Sequence, residues 1–111
     1  MSDPASIVAA RLAELWRSSR PTVLERVAIL HDAREALAAD PANSDARARG
    51  REAAHKLSGI LGVFGLPRGS EIASGIEALL RTEAPLSPDQ LSSLSSQVAD
   101  LDAVIASKPA G

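Results

Sequence analysis

The chain has 111 residues, with 12 Lys and Arg against 14 Asp and Glu, two His and no Cys, for a formal net charge of −2. The missing Cys excludes a disulfide framework, a thiolate zinc site and a Cys nucleophile. No apolar run approaches the roughly 18 residues of a membrane span, the polar, acidic start at Met1-Ser2-Asp3-Pro4 is unlike a secretory signal, and a mildly acidic chain makes a poor nucleic-acid binder.

An apolar share of 45% with only 2% aromatics, Trp16 and Phe64, requires a core of Leu, Ile, Val and Ala, which favours helices. The spacing predicts a short first helix over about residues 6–18, with Val8, Leu12, Leu15 and Trp16 on one stripe. Pro21 suits the first turn of a second helix, which carries Val23, Leu24, Val27, Leu30 and Leu37 and stops before Asp40-Pro41. After a polar linker over 41–44, a third helix runs from about Asp45 to Gly65. Pro67 opens a fourth, with Ile72, Ile76, Leu79 and Leu80 facing inward. Ser87 caps a fifth, Pro88 fills its first position, and Gln90 completes a capping box. Its Leu91, Leu94, Val98, Leu101 and Ile105 keep the 3-4-3-4 spacing of a bundle seam. Short connections make neighbours antiparallel. The expected architecture is all-α: one domain over 1–111, an up-down four-helix bundle over about 21–107 with an additional short N-terminal helix. The tail from Lys108 to Gly111 is expected to fray.

The third helix holds the one segment that points to chemistry. With His55 at zero on a helical wheel, Leu57, Ile60, Leu61 and Phe64 fall between about 140° and 240°, so the imidazole faces away from the core. Gly59 and Gly62 share its strip. Each interior Gly costs about 0.5–1 kcal/mol relative to Ala, and the cleared face has two readings. Either a partner must come close to His55, or a neighbouring helix packs tightly there and the histidine is incidental. From Ala46 to Ser58 there are four basic residues and one acidic, Glu52, so this surrounding is locally basic; a solvated helix face is the plain reading of Arg47-Ala48-Arg49-Gly50-Arg51. His31 borders the stripe of the second helix and reads as a half-buried histidine with a local partner. Two His on separate helices, without Cys or a second Glu-x-x-His, make no metal site.

His55, Leu57, Gly59 and Gly65 stand at the places of the histidine, leucine and glycines in the motif of the histidine-containing phosphotransfer (HPt) domain, which the segment resembles. Gly62, Phe64, Ile72, Ile76 and Glu77 extend the match over about 25 residues, and the Phe-Gly ending is similar to the phosphotransfer domain of chemotaxis kinases. Two positions depart. Ser58 stands where the family usually has Lys, and Gly69 where it prefers Leu, which implies looser local packing.

The resemblance implies a four-helix bundle in which His55 accepts a phosphoryl group from a receiver-domain Asp, or a histidine kinase, and passes it to a response regulator. Gly59 and Gly62 would allow close approach. The receiver would supply Mg²⁺ and a Lys; this chain needs no cofactor of its own. Arg51, at about −40° from His55, ranks above Lys56, at about +100°, as a stabiliser of phosphoryl charge, with the Ser58 hydroxyl as a third candidate. Exposed Val63, at about 80°, is a candidate contact for the receiver, and Arg47 and Arg51 could steer an acidic pocket. With no ATP site in the sequence, the chain reads as a cytoplasmic carrier, not a kinase, contacting neither nucleic acid nor membrane. Its size fits a free-standing module, and a piece of a hybrid kinase would read the same. The alternatives are an HPt-like adapter that is never phosphorylated, and a plain helical interaction or dimerisation domain.

Overall fold

A computed structural model describes residues 3–109, and all of its regular structure is helical. Four helices follow in order: α1 over Pro4–Ala39, α2 over Ser44–Val63, α3 over Pro67–Leu79 and α4 over Pro88–Ala106. Consecutive helices pack together, and α1 closes the ring against α4. Among the described residues no helix is long and apolar enough to cross a membrane.

Local chemistry sets most of the boundaries. Asp3 caps α1 through Ala5 N–H, ahead of Pro4 in the first turn. Asn43 caps α2 through Ala46 N–H at 3.0 Å. The capping box of α4 is complete: Gln90 N–H donates to Ser87 Oγ at 3.1 Å, and Ser87 N–H to the Gln90 side chain at 2.8 Å. At the end of α2, Gly65 has φ 73°, its N–H reaches Gly62 O at 3.3 Å, and Leu66 N–H reaches Leu61 O at 2.9 Å. This is a Schellman ending, and its left-handed residue strongly favours glycine. The motif glycine at 65 therefore serves the fold.

The separate first helix expected over 6–18 does not form, because α1 runs unbroken through Pro21. A proline inside a helix removes one hydrogen bond and costs about 3 kcal/mol. Burial on both sides of it offsets this: Trp16 before, and Val23, Val27, Leu30 and Leu37 after, are all in the core. Trp16 packs against Phe64 in a tilted pair, with ring centroids 5.3 Å apart and planes at 59°. Upstream of Trp16 the helix outruns the bundle, in a molecule 58 Å long and 19 Å across. Val8, Leu12 and Leu15, expected on one stripe with Trp16, are consequently exposed, and so is Leu24 on the outer side of α1.

Two further expectations are corrected. Lys108 and Pro109 do not fray: the Trp16 indole N–H donates to Pro109 O at 3.2 Å, and the Lys108 ammonium lies 5.7 Å from the ring centre. The rest of that tail, 110–111, lies outside the described residues. Gly69 does not loosen packing either. A Cβ there would meet Leu61 at 3.1 Å and Val104 at 3.2 Å, so the glycine seats α3 closely against α2 and α4.

Candidate phosphoryl-acceptor site

His55 sits near the middle of α2, opposite the face formed by Ala53, Ala54, Leu57 and Leu61, all buried. Its side chain is 73% exposed. The glycines beside it differ from Gly50, one helical turn or more before it on the same helix. A Cβ at Gly50 would lie 2.9 Å from Leu80 and 3.0 Å from Ala33, whereas one at Gly59 would have nothing within 4 Å. At Gly62 the nearest atom would be Ser70 Oγ, an ordinary contact at 3.6 Å. Packing within the bundle explains Gly50 and does not explain Gly59, which leaves an open strip beside the imidazole.

The ring is oriented by a partner that periodicity did not reveal. Nδ1 of His55 lies 2.9 Å from Glu77 Oε2 on α3, and the Glu77 side chain is only 15% exposed. Arg81, one turn on, reaches the same oxygen at 3.2 Å. A carboxylate only accepts hydrogen bonds, so Nδ1 carries the proton and donates it, leaving the Nε2 lone pair facing outward. The resemblance had matched Glu77, but its pairing depends on where α3 crosses α2, which no spacing along the chain encodes.

The local basicity read from the sequence is largely spent within the chain. Arg49 pairs with Asp45 at 3.2 Å, and Lys56 with Glu52 at 2.9 Å. The hydrogen bond from Lys56, and then its charge, hold the Glu52 carboxyl below its usual range. Arg47 is corrected as a docking residue: it is 8% exposed, and its guanidinium donates to Ala84 O at 2.9 Å, tying α2 to the α3–α4 loop. Arg51 is exposed and makes no ion pair among the described residues. Ser58 turns toward α3, where its hydroxyl lies 2.7 Å from that of Ser74 and 3.3 Å from that of Ser70. Val63 is 68% exposed and lines a shallow concavity with His55 and Gly59. His31 is half-buried as expected, but its partner is distant in sequence: Nε2 meets Asp102 of α4 at 2.8 Å.

An outward imidazole nitrogen with its proton fixed on the far side is a nucleophile suited to an electrophile presented from outside, here across an open glycine strip. A family model described as Hpt domain matches residues 12–104. No curated protein and no solved structure matches the chain.

Proposed function

The chain belongs to the Hpt domain family, the histidine phosphotransfer modules of phosphorelay signalling, which carry phosphoryl groups without an ATP site of their own, and from that premise we propose that His55 is the acceptor. The donor is a receiver-domain aspartyl phosphate or a histidine kinase, and the recipient is a response regulator, in a cytoplasmic relay. The observation that carries this reading is the Glu77–His55 hydrogen bond, which keeps Nε2 free on an exposed face.

In the forward step the Nε2 lone pair attacks the phosphorus of the aspartyl phosphate. The acyl O–P bond breaks, its electron pair returns to the Asp carboxylate, and the Nε2–P bond forms. The ring gains positive charge, and Glu77 stabilises it through the Nδ1 proton, which stays in place. Passing the group on reverses these changes. Gly59 and Gly62 admit the receiver; Val63 offers it an apolar contact. Arg51 and Lys56 are candidate cations for the phosphoryl charge, Lys56 after release from an exposed ion pair worth little. Ser58 is a weaker candidate, since its hydroxyl is engaged by Ser74. An up-down arrangement fits the ring of consecutive contacts, and also the hydrogen bond from Leu86 N–H to Pro41 O that joins the α1–α2 and α3–α4 connections at one end.

The test is incubation with phosphorylated receiver domains. Acid-labile, base-stable label on the wild type, lost in His55→Gln, is the expected result. Label that persists in that variant would sink the site. Receiver binding without label would favour the adapter reading, which the Lys-to-Ser departure at Ser58 motivates.

A further inference from the structure

The two nitrogens of an imidazole lie on opposite edges of the ring. With Nδ1 held by Glu77 of α3, a phosphoryl group on Nε2 points away from α3. The charge it brings must therefore be met on the other side of His55. The Ser58 hydroxyl cannot meet it from where it lies, turned to Ser70 and Ser74 on the α3 side.

On the side away from α3, a shallow concavity is lined by Arg26, His55, Lys56, Gly59, Ile60 and Val63. Arg26 is the one lining residue that comes from α1, and it is half-buried. Among the described residues it makes no ion pair and no side-chain hydrogen bond, although Asp32 and Glu52 share the adjoining groove with it. Lys56, the other cation there, is drawn back along α2 by Glu52. A guanidinium with its stem packed and its donors free is well suited to a phosphoryl group, because its planar fork can engage two oxygens at once. The stem is already partly ordered, so less side-chain freedom is lost on binding.

We propose that Arg26, reaching across from α1, is the cation that binds the phosphoryl group carried on Nε2 of His55. This rests on His55 being the acceptor. It assigns to a different helix the task that a lysine at position 58 would have performed, and it makes the α1–α2 side of the imidazole the phosphoryl-binding side.

The 111-residue chain can be tested without a protein donor, using phosphoramidate. Its P–N bond breaks, ammonia leaves with the electron pair, and the Nε2–P bond forms. Loading is followed by ³¹P NMR, and transfer onward to a receiver domain by loss of label. In Arg26→Ala, loading is expected to slow about tenfold, less than the loss of a fully buried oxyanion donor because this site is half-open. The ³¹P resonance of the loaded protein should also move. Arg26→Lys should recover part of the rate, and Arg26→Gln, which keeps the packed stem, should behave like the alanine variant. An unchanged ¹⁵N signature of the His55–Glu77 hydrogen bond separates this from a structural loss. Wild-type loading rates and an unmoved ³¹P resonance in both Arg26→Ala and Arg26→Gln would overturn the role of Arg26 alone. Absence of label on wild-type His55 would overturn the acceptor assignment and Arg26 with it.

Discussion

Glu77 and His55 meet across the α2–α3 contact at 2.9 Å, with the glutamate side chain largely covered and the imidazole largely open. One partner is anchored and the other presented, so the ring has a defined orientation on a surface that otherwise leaves it free. Arg81 fixes the carboxyl group in turn through a second contact to the same oxygen.

Removing that anchor should change the tautomer before it changes the fold. In Glu77→Ala, ¹⁵N NMR should find the proton no longer confined to Nδ1, and phosphoryl acceptance should fall about tenfold or more, as when an orienting partner behind a reactive histidine is lost. Far-UV circular dichroism should be unchanged.

The glycines should respond in opposite directions. Gly59→Ala has open space and should raise stability by about 0.5–1 kcal/mol in a denaturant titration. Gly50→Ala should lower it, since the added carbon meets Leu80 at 2.9 Å. Gly65→Ala should cost about 1–2 kcal/mol because φ there is positive.

Bulk at the open glycine should act on the partner and spare the fold. Gly59→Leu should stay helical and melt no lower than the wild type, while phosphoryl transfer from a receiver is blocked. Transfer at the wild-type rate would show that the strip is not the approach path.

The two arginines one turn apart should separate stability from steering. Arg47→Ala leaves the Ala84 carbonyl without its partner and should cost about 1–3 kcal/mol. Arg51→Ala should stay within about 0.5 kcal/mol of wild type. It should instead slow receiver association, an effect that disappears at high salt.

Much of this molecule is legible in its sequence where local chemistry decides the outcome. The Ser87–Gln90 box, the stripe from Leu94 to Ile105 and the exposure of His55 all follow from spacing and side-chain type. Where a distant element decides, spacing is insufficient. Pro21 has the chemistry of a helix start, but the burial of Trp16 against Phe64 carries α1 past it. Arg47 lies on the border of the apolar face of α2, and it is buried because the loop after α3 folds over it. Glu77 pairs with a residue 22 positions away, a relation set by how two helices cross. Gly69 replaces a larger residue of the family pattern, and only the closeness of Leu61 and Val104 reveals that it tightens the bundle.

The seating of Trp16 has a practical consequence. The chain contains one Trp and no Tyr, so its near-ultraviolet emission comes from a single indole, enclosed by Phe64, Lys108 and Pro109. Phe64 lies about 13 Å along α2 from His55 at 1.5 Å per residue. The chain thus carries a built-in fluorophore that reports the closing of one end of the bundle, optically separate from the imidazole proposed as the acceptor.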